Sequence, residues 1–192
     1  MPFKVFHITS LAQLDSLPVA VIKDYPLEKR DYKPYAQCNL CLDEQTLFVR
    51  LWAFEVSPPE GSELRGVFYL FPEQPGLALV VSARPESGFA FSLLEDGRER
   101  AVNPPQGFLP YSHNGEDLQG IYWGSLAALP LDWLASLGGK LSLSPGDAFQ
   151  GNFYKLAPGP QRAQKGSYFP ADFLGDPFGV DSMGAFLVAS HN

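Results

Sequence analysis

Several segments that read as strands carry, on one of their two faces, side chains able to grip a polar ring compound. Strand side chains alternate between faces, so Gln37 and Asn39 share one side of their segment, and Arg50 and Trp52 share one side of the next. Arg65 and Tyr69 come from a third segment, Arg84 from a fourth, and Asn152 and Tyr154 from one near the C-terminus. A flat aromatic ring meets the C–H face of a pyranose, while planar amide and guanidinium groups fork onto adjacent hydroxyls. The chemistry suggested is recognition of a sugar. An ordinary exterior sheet face with scattered aromatic residues is the alternative, and it needs no function.

Other chemistries have weaker footholds. Glu55 and Glu63 flank a proline-rich turn, and Glu95, Asp96 and Glu99 cluster at another. A glycosidase would use two carboxylates about 5–10 Å apart, whereas acids at turns are mostly solvated. His7, His113 and His191 are isolated, and no H-E-x-x-H zinc pattern is present. Cys38 and Cys41 form a C-x-x-C without a second ligand pair or a βαβ context. Placed three apart on a strand, the two thiols point to opposite sides and read as small buried hydrophobes. Asp172, Asp176 and Asp181 lie in a C-terminal loop whose carboxylates and carbonyls could hold a hard cation such as calcium, although EF-hand spacing is lacking.

The elements that must position these groups follow from composition and pattern. Gly and Pro number 18 each among 192 residues, with 15 Phe and 8 Tyr, which suits short strands joined by tight turns. Hairpin signals join 35–42 to 46–55, and further strands are expected at 64–71, 77–84, 89–94 and 121–126. The stretch 103–120, with three prolines and three glycines, reads as a long loop. Ser10 with Gln13 forms a capping-box pattern for a short helix in an N-terminal extension, residues 1–19. Pro130 to Gly138 has proline at its start, leucines at helical spacing and a terminating glycine. The expectation is one all-β domain over residues 1–192, an antiparallel two-sheet sandwich of about eight to eleven strands with two short helices.

Charge limits the partners. Lys and Arg number 14 against 21 Asp and Glu, a formal charge of −7, so neither nucleic acid nor an anionic membrane is expected as a partner. A secretory signal pattern is missing from the N-terminus, which predicts a cytoplasmic location, or secretion if the sequence is a trimmed mature form.

The order of motifs adds a resemblance. Asp31-Tyr32-Lys33-Pro34-Tyr35-Ala36-Gln37 comes first, then Leu47-Phe48-Val49-Arg50 with Glu55, and Glu63-Leu64-Arg65-Gly66-Val67-Phe68. Tyr122-Trp123-Gly124-Ser125 leads to Leu129-Pro130-Leu131, followed by Gly151-Asn152-Phe153-Tyr154-Lys155, Ser167-Tyr168-Phe169-Pro170 and Phe178-Gly179. From about residue 20 onward this succession resembles the family 9 carbohydrate-binding modules and related carbohydrate-binding-like sandwiches. The resemblance implies non-catalytic binding of a small saccharide or glycan end between aromatic side chains, often with structural calcium. It implies Tyr168, at a position that is commonly Trp, as a stacking ring, with Trp52 as a second ring. Asn152 becomes an amide contact and Arg65 a hydroxyl-binding guanidinium. The ligand-binding set expected is thus Trp52, Arg65, Arg84, Asn152, Tyr154 and Tyr168, with no catalytic residue. Two rivals remain: a degenerate module that binds protein or serves structure, and a glycoside hydrolase using Glu55 or Glu63.

Overall fold

A computed structural model describes residues 1–31, 33–86, 88–117, 120–159 and 163–190. Tyr32 of the first quoted motif and His191 lie outside the described residues, as do 118 and 119 of the long loop. The strands are β1 (Phe3–His7), β2 (Ala20–Ile22), β3 (Tyr35–Leu42), β4 (Thr46–Phe54), β5 (Glu63–Tyr69), β6 (Leu77–Arg84) and β7 (Gly88–Glu95). They continue with β8 (Arg98–Val102), β9 (Tyr111–Asp117), β10 (Gly120–Pro130), β11 (Ala148–Ala157), β12 (Gln164–Ser167) and β13 (Gly184–Ala189). Helix α1 (Leu131–Gly138) follows β10, and 3-10 turns span Leu11–Ser16 and Val180–Ser182.

The all-β expectation holds; the finer architecture differs. Instead of two separate antiparallel sheets, the thirteen strands among the described residues form one hydrogen-bonded network ordered β8-β7-β6-β5-β11-β13-β1-β3-β4-β10-β9, with β12 on β11 and β2 on β3. The sheet is mixed because β1 pairs parallel to both β13 and β3. The first residues of the expected extension, Phe3–His7, therefore occupy the middle of the sheet. Alternation explains it: Phe3 and Val5 point into the core, 3% and 0% exposed, and supply the apolar face that joins the two wings. A second link lies at Asp24 and Ser167, whose backbones exchange hydrogen bonds of 3.1 and 2.9 Å.

The wings share one core. Cys38, Leu40, Val49, Leu51 and Ala127 on one side meet Leu64, Phe68, Leu79, Val81 and Phe91 on the other, with Phe153 and Phe186 beside them. The intervening residues on each strand face outward, so each wing has an outer face. The capping box forms as expected, with the Ser10 and Gln13 side chains both bonded to backbone. The 3-10 turn then lays Leu14 against Cys41, Phe48 and Leu126 on the outer face of its wing. Cys38 and Cys41 fall in different clusters, one inside and one outside, as their spacing predicts. Burial pushes both thiols upward, Cys41 to about 12, as befits small buried residues. The stretch read as a long loop contains β9, an edge strand that pairs with β10.

Candidate functional site

The outer face of β5, β6 and β11 is built from the opposite parity of core strands. Leu64 and Phe68 point inward, so Glu63, Arg65, Val67 and Tyr69 point outward. Register places Tyr154 opposite Arg65, Asn152 opposite Val67 and Leu156 opposite Glu63. The C-terminal segment 168–183 crosses this face. Its Phe173, Phe178 and Met183 pack against Val67, Val80, Leu94 and Tyr154 in an apolar cluster separate from the main core.

Asn152 and Tyr154 fasten that segment. Asn152 is fully buried; its amide nitrogen donates to the carbonyls of Phe169 at 3.0 Å and Ser182 at 2.8 Å. Its oxygen accepts from the N–H groups of Phe153 and Phe169, both at 2.9 Å. The Tyr154 hydroxyl donates to the Pro177 carbonyl and that of Tyr69 to the Phe178 carbonyl. Burial raises the Tyr154 phenol well above its ordinary value. These two side chains hold the loop, and the loop supplies a wall.

Beside the loop lies an ionic cluster. Glu63 Oε1 accepts from Arg65 Nε at 2.6 Å and Ser82 Oγ at 2.7 Å, and Oε2 accepts from Arg84 Nε at 3.3 Å and Nη2 at 3.0 Å. Arg65 also donates to Glu99 at 3.0 Å and lies 4.8 Å over the Phe178 ring. Burial alone would raise the Glu63 carboxyl, but the Arg65 charge and the hydrogen bonds from Ser82, Arg65 and Arg84 leave it below its usual value. The Arg65 side chain is only 12% exposed whereas that of Arg84 is 50% exposed, so Arg84 is the guanidinium a ligand can reach.

Together the loop and the cluster bound a groove of about 540 Å³. Phe173, Phe178 and Leu156 supply apolar wall, and Glu63, Arg84 and Lys165 supply charge. Sequence reasoning missed Leu156 and Lys165. Their alternation is legible, but nothing in sequence says that β12 adds to the edge of β11. In the sequence Phe178 stands only in the Phe178-Gly179 motif, with no partner for its ring.

The six expected residues do not converge. Arg65, Arg84, Asn152 and Tyr154 share the face just described. Tyr168 packs with the main core, 4.6 Å from the Phe169 ring and 5.7 Å from Phe3, and burial raises its phenol. Trp52 belongs to the other wing and points away from the shared core, because its neighbours Leu51 and Ala53 point into it. There it stacks on Tyr122 at 4.9 Å, and the Arg50 guanidinium sits 4.2 Å from its ring centre. Phe54 and Tyr35 continue the row at 5.7 and 5.3 Å. Gly124 permits the row: a Cβ there would come within 2.4 Å of the Trp52 ring and 2.1 Å of the Leu51 carbonyl oxygen.

The two candidate acids also part company. Glu55 lies inside, ion-paired to fully buried Lys155 at 3.1 Å and bonded to Gln164 at 3.0 Å and the Trp123 indole at 3.2 Å. Burial pulls the Lys155 ammonium down in pKa, and Glu55 opposes that pull. In the C-terminal loop, Asp172 Oδ1 accepts from the backbone of Leu174 and Gly175, and Asp176 Oδ1 from that of Phe178. These carboxylates cap turns. Among the described residues no three His, Cys, Asp or Glu side chains gather as a metal site.

Comparison with known proteins bears on the fold. No protein-family model matches the chain, and no curated protein does. Solved structures do. One is a protein of Bacteroides uniformis provisionally assigned as carbohydrate-binding, with a TM-score of 0.72 at 13% identity, covering 97% of this chain and 98% of that one. Another is a family 9 carbohydrate-binding module of Caldicellulosiruptor kristjanssonii in complex with cellotriose, with a TM-score of 0.56 at 10% identity, covering 100% and 95%. The module from the same organism in complex with glucose gives 0.56 at 12% identity, covering 100% and 97%. The fold is that of the family 9 modules.

Proposed function

We propose that this protein binds a saccharide without catalysis, in the groove between the C-terminal loop and the outer face of β5, β6 and β11. The observation that carries the reading is the groove itself. Apolar walls from Leu156, Phe173 and Phe178 stand against the half-exposed Arg84 guanidinium in a space of about 540 Å³, within the ~300–1,000 Å³ of small-ligand sites. Sugars present the matching pair of surfaces, C–H patches for the walls and hydroxyls for the guanidinium. The fold shared with proteins solved with glucose and cellotriose supports the ligand class. Against hydrolysis stands the engagement of both candidate acids: Glu63 is held by two arginines and a serine, and Glu55 by Lys155, Gln164 and Trp123.

In this reading Arg84 contacts the ligand, Arg65 positions Glu63 and Phe178, and Asn152 and Tyr154 position the loop. Tyr168 and Trp52 lie away from the groove and serve packing. Calorimetry against a panel of mono- and oligosaccharides tests the assignment. Binding should occur and should weaken in Phe178→Ala while surviving Trp52→Ala. Binding lost with Trp52 and kept without Phe178 would move the site to the other wing, and no binding to any sugar would end the proposal.

A further inference from the structure

We infer that the groove prefers saccharides bearing a carboxylate, of the uronic acid type, over neutral ones; the inference rests on the groove being a saccharide site. A row of outward side chains crosses four adjacent strands: Arg84 on β6, Glu63 on β5, Leu156 on β11 and Lys165 on β12. Leu156 stands opposite Glu63 on one side and Lys165 on the other, and Arg84 grips the Glu63 carboxylate. With strands ~4.8 Å apart, the backbones of the two outer cations are about 14 Å apart across three spacings. Leu156 forms the floor between them, and long basic side chains can lean along apolar surface toward a ligand resting there.

The cluster's own carboxylates leave that ligand little to donate to. Both oxygens of Glu63 are occupied, Oε1 by Arg65 and Ser82, and Oε2 by two nitrogens of Arg84. Glu99 accepts from Arg65 and from Ser92. Arg84 Nη1 has no protein acceptor and Lys165 no ion-pair partner among the described residues. Of the charged side chains that line the groove itself, Arg84 and Lys165 outnumber Glu63, on a chain of formal charge −7; Asp176 lies behind the wall and caps the Phe178 N–H. A sugar hydroxyl is donor and acceptor at once and is best met by both. A carboxylate accepts only, and its hydrogen bonds to cations are the stronger kind.

Binding of glucose, cellotriose, glucuronate, galacturonate and oligogalacturonate, measured by calorimetry at low and raised salt, decides the matter. The uronates should bind at least ~tenfold more tightly than their neutral counterparts, and the margin should shrink with salt. The preference should vanish in Arg84→Gln/Lys165→Gln, whose exposed positions leave the fold intact by thermal melting. Equal affinity for acidic and neutral sugars, or a preference that survives the double variant, overturns the charge selectivity and leaves the saccharide site standing. Failure of every sugar to bind overturns both.

Discussion

The two wings solve the same problem, an outward strand face with apolar and polar residues mixed, in opposite ways. On β3, β4 and β10 the residues Tyr35, Phe54, Tyr122, Trp52 and Arg50 pack in a row, each group against the next at 4.2–5.7 Å. Arg50 is held in turn by Asn39 at 2.8 and 3.0 Å and by Asp15. On β5, β6 and β11 the face is instead crossed by a loop that packs on part of the sheet and leaves a groove between itself and a charged cluster. Aromatic residues mark a ligand site only where their faces stay open. Rings that stack on each other and on a guanidinium mark a self-packed surface, which is why the more aromatic face is the less promising one.

The contrast can be broken at Asn152. Asn152→Ala strips partners from two carbonyls and two N–H groups beneath the loop, so we expect a loss of roughly 3 kcal/mol or more in urea unfolding. Saccharide binding should go with it, since the wall is released; a variant that unfolds earlier yet binds normally would mean the loop is not part of the site. Next in size, Tyr122→Ala removes a half-buried ring from the other face and should cost about 1–2 kcal/mol of stability while leaving sugar affinity unchanged. Any fall in affinity there would erase the distinction between the faces.

Arg84→Gln should reverse that pattern, with affinity reduced about tenfold, or ~1.4 kcal/mol, and stability within about 1 kcal/mol of wild type, as for other exposed ion pairs. The smallest effect is on acid stability. The folded Glu63 carboxyl titrates below the ordinary 4.5, so its contribution is complete above that pH and is lost as pH falls through the lower folded value. Glu63→Gln should therefore flatten the stability profile below about pH 4.5, and an unchanged acid limb would show that its ion pairs contribute nothing.

Much of the site's raw material was legible in the chain. Alternation alone put Arg65, Arg84, Asn152 and Tyr154 on outward faces, and the structure gathers these four on one wing. Their roles were not legible. Asn152 looks like a ligand amide in sequence because an amide's chemistry is the same toward a sugar hydroxyl and toward a backbone carbonyl. Which it meets depends on a loop that arrives some 17 to 30 residues later. Glu55 and Glu63 look like an acid pair flanking one turn, yet one enters the core and the other lies outside it.

What the sequence determined by itself was local: the strands between residues 35 and 94 from period-2 patterning, the Ser10–Gln13 cap, helix α1 between proline and glycine, and which side chains share a strand face. Tertiary structure decided everything that depends on adjacency. It threaded β1 into the middle of the sheet, laid β12 against β11 to bring Lys165 into line with Arg84, and placed Trp52 and Arg65 on faces that look away from each other. The physical reason is that alternation fixes the side of a strand a residue occupies, while long-range backbone pairing fixes which strand lies beside it.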